Sequence, residues 1–245
     1  MSHRSRGWQG QQDRGESQTS SCLLYYSIPR FFYLSNTQIK VLVDNSITME
    51  ATYCVVDRSG SMASCLLDTV GGFNLFLNNQ PSGSVVSTYL FNNYITELHR
   101  CQAVETAARL SVSNYRPSGG TALFDAIGHA LELASNCTAE SISIVILTDG
   151  DENASKKYTS IEINSKIEQC KKDGWNFIFL AANQDAIRSA SMIGIPASGA
   201  ITFDTKCVQT AFKVASDALT RVRAGDSQTV EFSQIERTAS CPYGI

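Results

Sequence analysis

The sequence predicts an α/β fold with a doubly wound, mostly parallel central sheet, one antiparallel edge strand and helices on both faces. Three observations support this prediction. The segments A-T-Y-C-V-V, S-I-S-I-V-I-L and W-N-F-I-F-L-A-A are almost entirely apolar, which is typical of parallel strands covered on both sides. Amphipathic segments with helical spacing alternate with these strands. The chain has 245 residues, of which 43% are apolar and 18% charged, so it can bury a sizeable core.

The predicted elements follow one another as alternating strands and helices. The first strand begins at Ala51 and ends at Asp57, and apolar residues at helical spacing follow it from Met62 to Leu77. Two β-rich runs, 84–92 and 94–99, are separated by a short turn and predict a hairpin, which supplies the antiparallel strand. The later elements are helices at 121–135, 157–172, 185–192 and 206–223, and strands at 141–147, 175–182 and 201–203.

The composition and charge disfavour several classes of protein. Lys and Arg number 20 against 23 Asp and Glu, so the net charge is −3, and binding to nucleic acid is not expected. The apolar stretch 22–34 is too short to span a bilayer and is interrupted by Pro29 and Arg30, so no membrane association is expected. The eight cysteines form no C-x-x-C or zinc-knuckle spacing, which favours reduced thiols and a cytoplasmic location.

Changes in composition divide the chain into three parts. Residues 1–45 are polar at their start and aperiodic, and predict a disordered or weakly structured N-terminal extension. Residues 46–225 contain all the predicted strands and helices and form the domain. Residues 226–245 are expected to be a C-terminal tail.

Three predicted loops carry oxygen-bearing side chains. D-R-S-G-S, 57–61, follows the first buried strand, and T-D-G, 148–150, follows the second. S-G-G-T, 118–121, leads into a helix. Because ligands in open α/β sheets bind at the carboxyl ends of the strands, we expect the three loops to meet there.

The residue types in these loops predict a metal site for a hard cation. The candidate ligands are two carboxylates and three hydroxyls: Asp57, Asp149, Ser59, Ser61 and Thr121. Such oxygen donors suit Mg²⁺ or Mn²⁺ with water completing the shell, and they argue against zinc. The alternating spacing of 57, 59 and 61 lets an extended turn point all three side chains the same way.

This ordered trio resembles the von Willebrand factor A (vWA) domain, in which the three pieces form a metal-ion-dependent adhesion site (MIDAS) on a Rossmann-like sheet. The resemblance runs from about residue 52 to about residue 223. The surrounding sequences V-V-D-R-S-G-S-M, G-G-T-A-L-F-D-A-I and I-L-T-D-G-D-E-N look most like compact intracellular bacterial or phage-type single-domain members.

The resemblance implies a role for each candidate ligand. Ser59 and Ser61 would bind the metal directly, and Thr121 would bind it directly in the ligand-ready state. Asp57 and Asp149 would act mainly through water or through hydrogen bonds to the ligands. A protein partner would then donate an Asp or Glu carboxylate to the metal, so a non-enzymatic binding module is expected. Partner identity and oligomeric state are not readable from the sequence.

Other interpretations of the same residues stay open at this point. One is a regulatory subunit that docks on a larger ATPase by the same carboxylate capture. Another is a metal-dependent phosphohydrolase, which usually has a second Asp where Ser59 stands and needs a nearby lysine such as Lys156 or Lys157. A helix cap alone would explain the Asp and Ser residues of the first loop but not their combination with Thr121 and Asp149.

Overall fold

A six-stranded β-sheet lies at the centre of the part of the chain that the structure describes. The computed structural model describes residues 49–182 and 186–242, so the predicted extension 1–45 lies outside the described residues. The strands are β1 (Glu50–Asp57), β2 (Val85–Phe91), β3 (Ile95–Ala103), β4 (Ser141–Thr148), β5 (Asn176–Ala182) and β6 (Ala200–Phe203). Their order across the sheet is β3-β2-β1-β4-β5-β6, and only the edge strand β3 is antiparallel to its neighbour.

Helices cover both faces of this sheet. They are α1 (Leu66–Asn78), α2 (Leu123–Ala134), α3 (Ser160–Lys172), α4 (Ala186–Met192), α5 (Val208–Arg223) and α6 (Gln234–Ser240). A 3-10 turn at Gly60–Cys65 precedes α1 and takes up the first part of the predicted helical segment. The predicted doubly wound α/β fold with one antiparallel edge strand is confirmed.

The alternation of side chains along β1 divides the core into two layers. Cys54 and Val56 face a cluster that includes α1 and α5, whereas Tyr53 and Val55 face a cluster that includes α2, α3 and α4. Because both faces of β1, β4 and β5 are buried, these strands have no polar face, and this explains their continuous apolar sequences.

Close packing between α1 and α5 depends on a glycine. A Cβ at Gly72 would lie 2.8 Å from Phe212 Cδ2 and 3.0 Å from the Gln209 backbone, whereas one at Gly71 would meet the flexible end of the Gln209 side chain. Gly72 therefore lets the two helices approach, although glycine inside a helix costs about 1 kcal/mol relative to alanine.

The C-terminal segment packs against the sheet instead of extending away from it. Val230 and Phe232 are buried in the core, and the Arg237 guanidinium donates to the carbonyl oxygens of Ala200 and Ala197 at 2.7 and 2.8 Å. The Asp204 N–H also donates to the Ser240 carbonyl oxygen at 2.9 Å. Over its described residues, the segment predicted as a tail is thus a structured part of the domain that covers the β6 edge.

Two further sequence expectations concern the cysteines and membranes. Among the described cysteines, Cys101 is disulfide-bonded, so the expectation of reduced thiols throughout is wrong at that position. Cys54, Cys65, Cys137, Cys170, Cys207 and Cys241 are free. No helix in the described ranges has the length and apolar character needed to cross a bilayer.

Candidate metal site

Two neighbouring strands end in the loops that carry most of the predicted ligands. β1 ends at Asp57 and β4 ends at Thr148, and the two strands pair directly in parallel. From β1 the chain continues to β2 on one side, and from β4 it continues to β5 on the other, so the strand order reverses between them. The predicted ligands therefore lie at the topological switch point, where ligands of open α/β sheets bind.

Asp57 is fully buried and holds two loops together. Its Oδ1 accepts a hydrogen bond from the Ser59 N–H at 2.6 Å, and its Oδ2 accepts one from the Thr148 hydroxyl at 2.7 Å. The Tyr115 hydroxyl donates to the Asp57 carbonyl oxygen at 2.5 Å. These contacts fix the carboxylate beneath the other candidate ligands, a geometry that suits the indirect role implied by the resemblance.

The hydroxyls of the first loop connect directly to the third loop. Ser59 Oγ lies 3.0 Å from Ser61 Oγ, and the Ser61 hydroxyl donates to Asp149 Oδ1 at 2.6 Å. Ser59 is buried, whereas Ser61 is exposed. A continuous row of oxygen atoms thus runs from the interior to the surface.

Thr121 reaches the same place from the second loop. An added Cβ at Gly150 would lie 3.5 Å from Thr121 Oγ1 and 3.7 Å from Ser61 Oγ, so both hydroxyls border the space that glycine leaves free. The structure therefore brings all five predicted ligand residues together at one end of the sheet. That they bind a metal stays a prediction.

Backbone hydrogen bonds align the first and second loops. The Gly60 N–H donates to the Gly119 carbonyl oxygen, and the Ser118 N–H donates to the Arg58 carbonyl oxygen, both at 3.0 Å. Gly119 has a φ of +76°, in the left-handed region that favours glycine. This pairing fixes the distance between the serines of one loop and the threonine of the other.

Two asparagines of the β2–β3 turn support the second loop, and the sequence interpretation missed them. Asn92 Nδ2 donates to the Ser118 carbonyl oxygen at 2.8 Å, and Asn93 Oδ1 accepts from the Gly120 N–H at 2.7 Å. Asn is a common turn residue, and this explains its presence in a hairpin but does not indicate these long-range contacts.

The residues after Asp149 are also structural supports. Asn153 Oδ1 accepts from the Thr121 N–H at 2.9 Å, and the Asn153 N–H donates to the Thr121 carbonyl oxygen at 3.0 Å. Glu152 accepts from the N–H groups of Phe124, Ala154 and Ser155. Through these hydrogen bonds Glu152 joins the start of α2 to its own loop.

Burial perturbs the two carboxylates of the site. Burial raises the pKa of Asp57 to about 6, although the hydrogen bonds from Thr148 and Ser59 oppose the rise. Burial also raises the pKa of Asp149, and the Ser61 hydroxyl opposes it. Among the described residues, neither carboxylate forms an ion pair. A bound cation would relieve the cost of burying these charges.

The donor set fits a hard divalent cation. It consists of hydroxyl and carboxylate oxygens, with no sulfur or imidazole, which matches the ligand preference of Mg²⁺ and Mn²⁺. No group of three or more His, Cys, Asp or Glu side chains in the described ranges forms a metal cluster. Because the site has only two carboxylates, the hydroxyls and water have to supply the remaining ligands.

Comparisons with known proteins agree with this fold. A family model for the von Willebrand factor type A domain matches residues 39–218. No curated protein is significantly similar to the chain in sequence.

Solved structures with this fold come from several organisms. A von Willebrand factor type A protein from Catenulispora acidiphila has a TM-score of 0.53 and 11% identity over 70% of this chain, which spans 42% of that protein. The vWF domain of the type V pili tip protein Mfa5 from Porphyromonas gingivalis has a TM-score of 0.57 and 10% identity, covering 76% of this chain and 98% of that domain.

The manganese-loaded TRAP protein of Plasmodium vivax is a third such structure. Its TM-score is 0.51 and its identity 16%, with 67% of this chain and 72% of that chain covered. At these identities, each likeness concerns the fold alone.

Proposed function

Because the chain belongs to the von Willebrand factor type A domain family, we propose that it is a divalent-metal-dependent protein-binding module. Mg²⁺ or Mn²⁺ would bind at Asp57, Ser59, Ser61, Thr121 and Asp149, the MIDAS positions of this sequence. The partner would be a protein that donates an Asp or Glu carboxylate.

One observation carries the proposal: two carboxylates, neither in an ion pair with another described residue, and three hydroxyls converge at the switch point of the sheet. Burying Asp57 as a carboxylate that pairs with no cationic side chain in the described ranges is unfavourable, because desolvation of the charge is costly. The arrangement is explained if a cation completes it. The family also includes proteins that bind such ions, and one structure with this fold is described as manganese-loaded.

The side chains of this site favour capture of an anion over chemical conversion. A divalent cation held mainly by neutral hydroxyls and water would keep positive charge and an exchangeable position for an external carboxylate. Ser61 is exposed, so the partner can approach from its side. Thr121 is held on both sides of its backbone by Asn153, which keeps its hydroxyl beside Gly150.

Two contacts argue against the phosphohydrolase alternative. Asp57 is fully buried and both its oxygens accept hydrogen bonds, so it is badly placed to attack a phosphate. The Lys157 ammonium pairs with Glu132 at 3.0 Å, away from the carboxylates of the site. These contacts support a binding module and not an enzyme.

Isothermal titration of the full chain with Mg²⁺ and Mn²⁺ tests the metal part of this proposal. Asp149→Asn removes a charge at the site, and Asp151→Asn makes the same change at an exposed residue two positions away. We expect saturable binding in the unmodified protein and in Asp151→Asn, and its loss in Asp149→Asn. No binding by folded unmodified protein would overturn the metal-dependent function.

A further inference from the structure

A mostly apolar pocket opens beside the candidate metal site. Its volume is about 290 Å³, at the lower end of the range of about 300–1,000 Å³ that is usual for small-molecule sites. Five large apolar side chains line it: Leu123 and Phe124 of α2, Phe179 of β5, and Met192 and Ile193 at the end of α4. A pocket of this size suits one apolar side chain better than a whole ligand.

The pocket and the candidate metal site share one wall. Gly150 lines the pocket, and an added Cβ at this residue would be within 3.7 Å of both Ser61 Oγ and Thr121 Oγ1. Gly150, which has no side chain, therefore lies between the pocket and a group bound beside those hydroxyls. One short peptide segment can occupy both places.

Exposed apolar side chains extend the pocket along the surface. Met192 is 56% exposed and lines the pocket, and Ile161 on α3 is 79% exposed. Asn164, one helical turn after Ile161, donates to the Met192 carbonyl oxygen at 3.3 Å, so the two apolar residues belong to adjoining surfaces. Exposed apolar surface next to a polar site is typical of a protein-binding surface.

The charges at the pocket favour one placement of a bound peptide segment, with its acidic residue at the metal site and its apolar residue in the pocket. Asp151 and Glu152 line the pocket on the side of Gly150, and Asp151 is exposed. Their negative charge repels an acidic side chain from the pocket, whereas a cation at the neighbouring site attracts it. An acidic residue and an apolar residue would thus be directed to different places.

We infer that this pocket is a specificity site, which binds an apolar side chain of the partner next to the captured carboxylate. The inference rests on the proposed function. The occupant is an extended segment of a protein partner in which Leu, Met or Phe stands two residues from the acidic residue. In an extended chain, residues two apart lie on the same face about 7 Å from each other, whereas adjacent residues point to opposite faces.

The test uses fluorescent glycine-rich peptides with a central aspartate and measures their affinity for the full chain with Mg²⁺ or with EDTA. One peptide has no other side chain, one has Leu two residues from the aspartate on both sides, and one has Leu directly adjacent on both sides. We expect the peptide with Leu two residues away to bind about tenfold tighter than the others in Mg²⁺, because its Leu side chain loses apolar surface to water in the pocket; tenfold corresponds to about 1.4 kcal/mol.

Met192→Glu places a charge at the mouth of the pocket and should remove this tenfold gain. Ile235→Glu makes the same kind of change at a residue of α6 that is 83% exposed and should keep the gain. Within each variant we compare the affinity of the peptide with Leu two residues away with that of the peptide without Leu. The effect of the added charge on the carboxylate is common to both peptides and cancels in this ratio.

The outcomes separate the two proposals. If the peptide with only aspartate binds in Mg²⁺ and Leu adds nothing, or if Met192→Glu leaves the gain unchanged, the inference is overturned while carboxylate capture stands. If no aspartate peptide binds in Mg²⁺, the proposed function fails, and the specificity site fails with it.

Discussion

Replacing Asp57 by Asn should stabilise the metal-free protein and abolish metal binding. Asn has the same shape, and its Oδ1 can still accept from the Ser59 N–H. Its amide can donate to Thr148 Oγ1, because the Thr148 hydroxyl can turn to the Gly150 carbonyl oxygen, which lies 3.0 Å away. The substitution therefore removes a buried charge while keeping the hydrogen bonds around it.

The expected gain follows from the pKa of Asp57. A rise from 3.8 to about 6 corresponds to about 3 kcal/mol of destabilisation at pH 7, where the carboxylate is ionised in both states. Burial of the polar Asn side chain is also unfavourable, so we expect the free energy of unfolding to rise by about 1–3 kcal/mol. For a domain of this size, each kcal/mol raises Tm by about 2–4 °C.

The gain should depend on pH with a definite sign. Below pH 3.8 Asp57 is protonated in both states and does not destabilise the fold. Because its pKa is raised in the folded state, the protein loses stability as the pH rises through about 6. The difference between the variant and the unmodified protein should therefore be small at pH 4, grow up to about pH 6, and stay constant above it.

Urea unfolding in EDTA at several pH values measures this difference, and Asp151→Asn is the control, with an expected change near zero because Asp151 is exposed. Excess Mg²⁺ should stabilise only the unmodified protein and Asp151→Asn, by about 2.7 kcal/mol at 100 times Kd. If Asp57→Asn is less stable than the unmodified protein in EDTA at pH 7, or if the difference does not vary with pH, the reasoning about the buried charge is wrong.

Further substitutions at Thr121, Gly72 and His99 test other parts of the structure. Thr121→Val keeps the shape but removes the hydroxyl, so titrations should show a larger loss of affinity for an acidic peptide than for Mg²⁺; equal losses would contradict the proposed role. Gly72→Ala should lower the free energy of unfolding by about 1–3 kcal/mol, because the methyl group collides with α5, whereas Gly71→Ala should be neutral or stabilising. Burial lowers the pKa of His99, so the stability that this neutral imidazole provides is present above its unfolded pKa of about 6.5 and is lost as the pH falls below it. Urea unfolding compares the variant Asp57→Asn with the double variant Asp57→Asn, His99→Gln. The loss of stability at low pH should occur only in the protein that keeps His99, and a loss of equal size in both proteins would refute this role of His99.

Much of the fold was predictable because its signals are local. The apolar runs of β1, β4 and β5 reflect burial on both faces, and the alternation with amphipathic helices defines the doubly wound sheet. The C-terminal segment was not predictable in this way. Its docking depends on Val230 and Phe232, two isolated apolar residues, and on a hydrogen bond from Arg237 to the Ala197 carbonyl oxygen, 40 residues earlier in the sequence.

The candidate site shows the same division between local and long-range information. Residue type and loop position indicated Ser59, Ser61 and Asp149, and the structure places them within one row of hydrogen bonds. The support by Asn93 and Asn153 depends on contacts across 27 and 32 residues of sequence, which no local pattern reports. The full burial of Asp57 was not predictable either, because a position at the end of a strand does not indicate how deeply the side chain is buried.

Water-proton relaxation of the Mn²⁺-loaded full chain tests the capture of a carboxylate most directly. A short peptide with a central aspartate should displace metal-bound water, so relaxation enhancement should fall and saturate as the peptide is added. The same peptide with asparagine should leave it unchanged. If Mn²⁺ binds but the aspartate peptide does not lower the enhancement, or if both peptides lower it equally, the protein does not capture carboxylates through this metal site.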